Sequence, residues 1–349
     1  MAKRFDEIDQ NFKAVAFSKD GFSFYNVDNE PFSIYGVYRD GEKYRRMPEA
    51  VAKEISDGVH FFHANTAGGR VRFRTNSSRV AISLKMANLN RGNKFTLCGS
   101  CGCDLYADDA YVSTFVPPYD MVDSYESCLP THSGEWHDYM IHLPLYSEVI
   151  SLHIGLDEDA GLEAASPYQE TLPVVYYGSS ITQGGCASRP GLAYEAILSR
   201  KFHCDFVNLG FSGSAKAEPR FAEYIKTLPM KAFVYDYDFN APNLEHLKNT
   251  HEAMFRVIRE ANPTLPIILL SRPKGKLIVD EPERIEVIKT TYRHAVEAGD
   301  QNVYFIDGPT LMALCGTEGN EGTVDNCHPN DFGFVSMAAA LEKVMREFM

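Results

Sequence analysis

The hydrophobic rhythm of this chain changes once, near Ala164-Ala165-Ser166-Pro167, and that change limits the fold more than any other feature. Before it, apolar residues alternate with polar ones in short segments. Arg70-Val71-Arg72-Phe73-Arg74 and Val80-Ala81-Ile82-Ser83-Leu84-Lys85-Met86 have the period of a half-buried strand. Trp136–Leu143 and Val149–Ile154 repeat it, and clusters such as Gly68-Gly69 and Asn76-Ser77-Ser78 supply turns. Only the stretch from about Pro48 to Ser56 reads as helical. Residues 1–168 are therefore expected to form an antiparallel β-sandwich or jelly roll.

After the change, short apolar runs alternate with amphipathic helices. The runs Val174–Tyr177, Phe206–Leu209, Ala232–Asp236, Ile267–Leu270 and Val303–Ile306 suit strands covered on both faces. Between them, Leu244, Leu247, Met254, Phe255 and Ile258 share one helical face. Ile285, Ile288, Tyr292 and Ala295 share another, and Phe334, Met337, Leu341, Val344 and Phe348 a third. Residues 169–349 are expected to be a doubly wound α/β domain with its ligand site beyond the carboxyl ends of the strands. Gly178, Gly210, Asp236 and Arg272 lie at or just past those ends.

The chemistry sits there too. Gly178-Ser179-Ser180-Ile181-Thr182 follows the first run, and Asp325-Asn326-Cys327-His328-Pro329 precedes the last helix. A serine hydroxyl needs a base to take its proton, and the base needs a third group to hold its tautomer. Ser180 is the expected nucleophile, His328 the base and Asp325 the orienting carboxylate; neighbouring Ser179 should point the other way. Asn330 is placed to cap the closing helix. A phosphate-cradling reading of the glycine-rich turn fails, because neither the Walker lysine nor G-x-G-x-x-G is present.

These segments resemble the four sequence blocks of SGNH hydrolases, the GDSL esterase/lipase superfamily. Gly178-Ser179-Ser180-Ile181 is similar to the first, Asn208-Leu209-Gly210-Phe211-Ser212-Gly213 to the second, Tyr237-Asp238-Phe239-Asn240 to the third and Asp325-x-x-His328 to the fourth. The resemblance implies a flavodoxin-like sheet and an oxyanion hole built from the N–H groups of Ser180 and Gly213 and the Asn240 side chain. Two positions depart from the pattern: Ser179 replaces the usual aspartate, and Asp238-Phe239 the usual glycines. Gly102-Cys103-Asp104-Leu105-Tyr106 resembles the G-x-D-L-Y signature of a β-rich domain that precedes a bacterial subgroup of these enzymes. Arg189 and Arg272 are candidate substrate contacts, with loop bracing as the alternative for each.

The expected activity is hydrolysis of a short acyl ester, acetyl on a small carbohydrate, through an acyl-enzyme. The alternatives are a longer-chain esterase or thioesterase, and a carbohydrate binder with a vestigial site. Neither cofactor nor metal is expected: Cys98-Gly99-Ser100-Cys101-Gly102-Cys103 lacks a second ligand pair and suggests buried thiols in strands. His60, His63 and His251 are expected to be structural. The net charge of -13 argues against nucleic acid and against an anionic membrane surface. The partner is a small-molecule ester, and a homo-oligomer is left open. The start Met1–Ile8 has no apolar stretch behind it, and the eight cysteines form no regular framework, so a soluble, cytoplasmic protein is expected.

Overall fold

A computed structural model describes residues 8–9, 17–131, 134–316, 318 and 320–349. Residues 1–7, on which the expectation about the start of the chain rests, lie outside the described residues.

The first half forms two large antiparallel sheets and a two-stranded one, Tyr38–Asp40 with Lys43–Arg45. Phe22–Asn26, Glu148–Asp157, Arg79–Ala87 and Ser124–Pro130 are neighbours in one. Leu162–Glu163, Arg70–Thr75, His137–His142, Cys103–Ala107 and Ala110–Phe115 follow one another in the second, with Ser33–Tyr35 also paired to Arg70–Thr75. Val71, Phe73, Leu105, Tyr139 and Ile141 pack against Ile82, Leu84, Leu152 and Ile154 between the sheets. The expected sandwich is present, but Arg70–Thr75 is not half-buried. Arg70 and Arg72 lie on its outer face and are buried as well. The other half of the molecule covers Arg70, which bonds to Asp205 and lies 3.8 Å from the Phe206 ring centre; Arg72 lies 4.1 Å from that of Tyr168, at the end of the first half.

The second half is a five-stranded parallel sheet. Its order is Cys204–Gly210, Glu170–Gly178, Ala232–Asp236, Ile267–Leu270, Val303–Ile306, the 2-1-3-4-5 order of flavodoxin-like folds. The helix Leu244–Ala261 starts where the Asn243 side chain accepts from the His246 N–H at 2.8 Å. It buries Leu247, His251, Met254, Phe255 and Ile258, one face at helical spacing. His251 belongs to that face: it stacks on Tyr235 and bonds Thr291 at 2.8 Å, so it is a packing residue as expected. The terminal helix Asp331–Met345 is capped by Asn330.

Two short helices escaped the sequence reading. Asp57–Phe62 and Leu97–Cys101 are each opened by a hydroxyl cap, Ser56 on the Val59 N–H and Thr96 on the Gly99 N–H. Cys98 and Cys101 therefore sit on a helix rather than in strands; Cys103 alone of the three is in a strand. The halves also share apolar cores. Met47, Ala52 and Val59 pack with Leu209, Phe211 and Phe221 on one face of the parallel sheet. Ala67, Leu145 and Tyr146 join Tyr176, Phe206 and Phe334 on the other.

Candidate active site

Strand register puts three chain segments at one edge. Gly178 pairs with both Gly210 and Asp236, so Ser179-Ser180, Phe211–Gly213 and Tyr237–Asn240 leave the sheet side by side. The two glycines permit this crowding. A Cβ on Gly178 would lie 2.1 Å from the Asp236 carbonyl oxygen, and one on Gly210 would lie 2.2 Å from the Gln183 nitrogen. Asn208 ties the turn together, donating to the Thr182 carbonyl at 2.6 Å and accepting from the Gly210 N–H at 2.9 Å. Gln183 links it further, with Nε2 donating to Leu145 O and Oε1 accepting from the Ser212 N–H.

The adjacent serines diverge. Ser179 is fully buried and its Oγ accepts from the Ile181 N–H at 3.1 Å. Ser180 reaches the surface of the turn, where its Oγ lies 3.0 Å from His328 Nε2. His328 Nδ1 is in turn 2.9 Å from Asp325 Oδ2. The Asp325–Pro329 loop is set locally: the Val324 N–H donates to the His328 carbonyl, and Asn326 adopts a positive φ of 63°. Asp325 Oδ1 accepts from the N–H groups of Cys327 at 3.1 Å and His328 at 2.8 Å. Burial would raise the Asp325 pKa. The His328 N–H, Lys94 and the His328 ring outweigh it and hold the carboxyl well below the ordinary carboxylate value.

Lys94 was not singled out by the sequence. It stands in a loop of the β half, 231 positions from Asp325, and its Nζ donates to Asp325 Oδ2. No local pattern marks such a lysine.

Gly213 has a φ of +64°, with open space where a Cβ would be. Neither its N–H nor that of Ser180 is engaged by an acceptor among the described residues. Asn240 differs: its amide nitrogen donates to the carbonyls of Phe211 and Ala215, each at 3.0 Å. Both amide hydrogens thus brace the loop that carries Gly213.

Both candidate arginines are held by protein carboxylates. Arg189 donates to Asp104 Oδ2 at 2.7 Å, bonds Tyr106 and lies over the Tyr111 ring. Asp104 also accepts from the Gly191 N–H at 2.9 Å, so the Asp-Leu-Tyr segment grips the chain just after the Ser180 turn. Arg272 bonds Asp238 and Glu281 and packs over Phe239. Neither guanidinium stands free to meet a substrate; the bracing alternative is the one their contacts fit.

Asp325, Cys327 and His328 form the one metal-type cluster among the described residues, with atoms within 4.8 Å of one another. Asp325 and His328 are already bonded to each other, and burial raises the Cys327 thiol pKa. His60 and His63 stack on each other, and His60 bonds Glu49.

The profile of the GDSL-like lipase/acylhydrolase family matches residues 171–346, and that of the N-terminus of SGNH-hydro-type esterases matches residues 22–162. No curated protein matches the sequence. A Bacteroides ovatus protein described as a GDSL-like lipase is 28% identical, with a TM-score of 0.82 over 94% of this chain and 98% of its own. The salicylyl-acyltransferase SsfX3 of a tetracycline biosynthetic pathway shares the fold at 20% identity and a TM-score of 0.77, again over 94% and 98%. A family two carbohydrate esterase of Clostridium thermocellum does so at 14% and 0.63, over 91% and 98%. With a profile covering half its length and a strand order to match, the chain belongs to the GDSL-like lipase/acylhydrolase family and is a carboxylic ester hydrolase.

Proposed function

We propose that Ser180, His328 and Asp325 form the catalytic triad of an enzyme that removes short acyl groups, acetyl foremost, from a small carbohydrate ester. One observation carries this reading: the unbroken chain of bonds from Ser180 Oγ to His328 Nε2 at 3.0 Å and from His328 Nδ1 to Asp325 Oδ2 at 2.9 Å.

Ser180 Oγ attacks the acyl carbonyl while His328 Nε2 takes its proton. Asp325 holds Nδ1–H and stabilises the imidazolium. The N–H groups of Ser180 and Gly213 receive the oxyanion, a role favoured by their lack of acceptors among the described residues. Asn240 supports Gly213 and joins directly by turning one amide N–H from its carbonyl partner to the substrate oxygen. His328 then protonates the leaving alcohol, and water, deprotonated by the same ring, releases the acid from Ser180.

The carbohydrate preference is supported by the β-sandwich joined to the hydrolase sheet, an arrangement whose fold the Clostridium thermocellum carbohydrate esterase shares. Eight unpaired cysteines favour a reducing compartment, as in the cytoplasm; no helix among the described residues is long and apolar enough to cross a membrane.

A second reading has its own observation. Ile278 and Val279, in the loop after the strand Ile267–Leu270, are 57% and 86% exposed at the same end of the sheet. Such a surface suits a longer acyl chain. Hydrolysis of p-nitrophenyl esters from acetyl to octanoyl decides between the two. An acetate optimum supports the first reading, and an octanoate optimum the second. Ser180→Ala should lose at least about 10⁴-fold in kcat. Turnover surviving in that variant rejects both.

A further inference from the structure

Asp325 is surrounded more completely than a triad carboxylate requires. Oδ1 takes the two backbone N–H groups of its own loop, and Oδ2 takes His328 Nδ1. A carboxylate offers about four acceptor positions, and Lys94 Nζ fills the fourth on Oδ2.

Half-exposed lysine pairs usually contribute little, because a long flexible side chain must be ordered in water. The Lys94 side chain is 49% exposed, yet its backbone is tied down on both sides. On one side, Asn90 bonds the Tyr146 carbonyl through Nδ2 at 2.8 Å. On the other, the Phe95 ring centre lies 4.4 Å from that of Tyr146, and Thr96 Oγ1 donates to the Ser188 carbonyl at 2.6 Å. Tyr146 OH in turn donates to the Ser180 carbonyl at 3.2 Å. The loop is therefore referenced to the nucleophile turn at the two points that flank Lys94.

Resting on the triad reading above, we propose that Lys94 is a positioning residue of the reaction: the β half delivers its ammonium to Asp325 Oδ2 and holds that oxygen where it accepts the hydrogen bond of His328 Nδ1–H. The triad is then completed across the two halves of the molecule. This gives the β half a part in catalysis separate from any contact with the sugar.

Other charged or titratable groups also face this place. Cys327 shares the loop, and Cys186 approaches from the nucleophile turn. Burial keeps both as thiols, Cys186 with a pKa pushed up to about 11. Arg272 and Lys274 lie within electrostatic reach of Cys327 but are paired with Asp238 and Glu281. Lys94 is the cation bonded to Asp325 itself.

The test compares the full-length enzyme with Lys94→Met and Lys94→Arg. In Lys94→Met, kcat falls about tenfold with KM kept. The downfield proton-NMR signal of His328 Nδ1–H, assigned with His328→Gln, shifts or broadens. Lys94→Arg restores both. Wild-type behaviour of Lys94→Met overturns the inference. So does a lower kcat with the proton signal unmoved, which marks a merely structural role. If the wild-type enzyme neither turns over esters nor reacts with a fluorophosphonate, the triad reading has failed separately, and the proton signal alone decides whether Lys94 holds the Asp325–His328 bond.

Discussion

Among single residues, the clearest contrast is between charges that are satisfied and charges that are suppressed. Asp325 is solvated by four donors and stays ionised. Behind the Ser180 turn, Glu195 and Asp236 are buried, and each leaves one carboxyl oxygen without a partner among the described residues. Burial raises both pKa values well above the ordinary carboxylate range. The sign for stability follows. Above about pH 4 the unfolded chain releases the Glu195 proton while the folded protein retains it, so folding loses stability as pH rises. Glu195→Gln keeps an acceptor for the Asn208 amide and removes the titration. Urea unfolding should show the variant gaining on wild type between pH 4 and pH 7.5; a gap that does not change with pH refutes the neutral-acid account. Ser180, His328 and Asp325 were legible in the sequence because their chemistry is local: a turn after a strand, and a three-residue offset within one loop. Lys94 was not, since its partner is distant and a lysine in a polar loop carries no signal. The bonds of Asn240 to Phe211 and Ala215 were equally hidden, because an asparagine's partners depend on which loop folds over it.

Among the elements, strand ends were read almost to the residue where both faces of the strand are buried, as in Ala232–Asp236, Ile267–Leu270 and Val303–Ile306. Alternation in Arg70–Thr75 identified the strand but misjudged its outer face. Periodicity reports that two faces differ, and an arginine buried against Phe206 reads the same as one in water. The helices Asp57–Phe62 and Leu97–Cys101 are too short for a 3.6-residue period to register, and only their Ser56 and Thr96 caps announced them. The loop after the nucleophile turn is held by the Asp-Leu-Tyr strand. Asp104 has no exposed side-chain surface, and Arg189 is 16% exposed. Asp104→Ala leaves the Arg189 guanidinium and the Gly191 N–H without their acceptor and should cost about 3 kcal/mol in chemical denaturation. A loss under about 1 kcal/mol would mean that the motif does not brace this loop.

For the whole molecule, the change of rhythm near Pro167 marks a change of architecture, yet it does not mark where cohesion ends. The helices Glu49–Ile55 and Asp57–Phe62 bury Ala52 and Val59 against Phe211 and Phe221, and Leu145 and Tyr146 lie in the core beside Phe206. Each such side chain is worth roughly 1–3 kcal/mol of burial, so neither half is complete without the other. Calorimetry should show one cooperative unfolding transition, with residues 169–349 alone failing to give a folded product. Two separated transitions would show that the halves fold independently. The same interleaving places Lys94, Thr96 and Tyr146 of the β half around Ser180 and Asp325, so the proposed hydrolytic site draws on both halves of the chain.

The account depends above all on Ser180 being the activated nucleophile. The direct measurement is reaction of the intact protein with a fluorophosphonate, followed by peptide mass spectrometry. One label should appear on Ser180, none on Ser179, and none at all in His328→Ala. A label on Ser179 or elsewhere, or labelling of Ser180 that survives loss of His328, would contradict it.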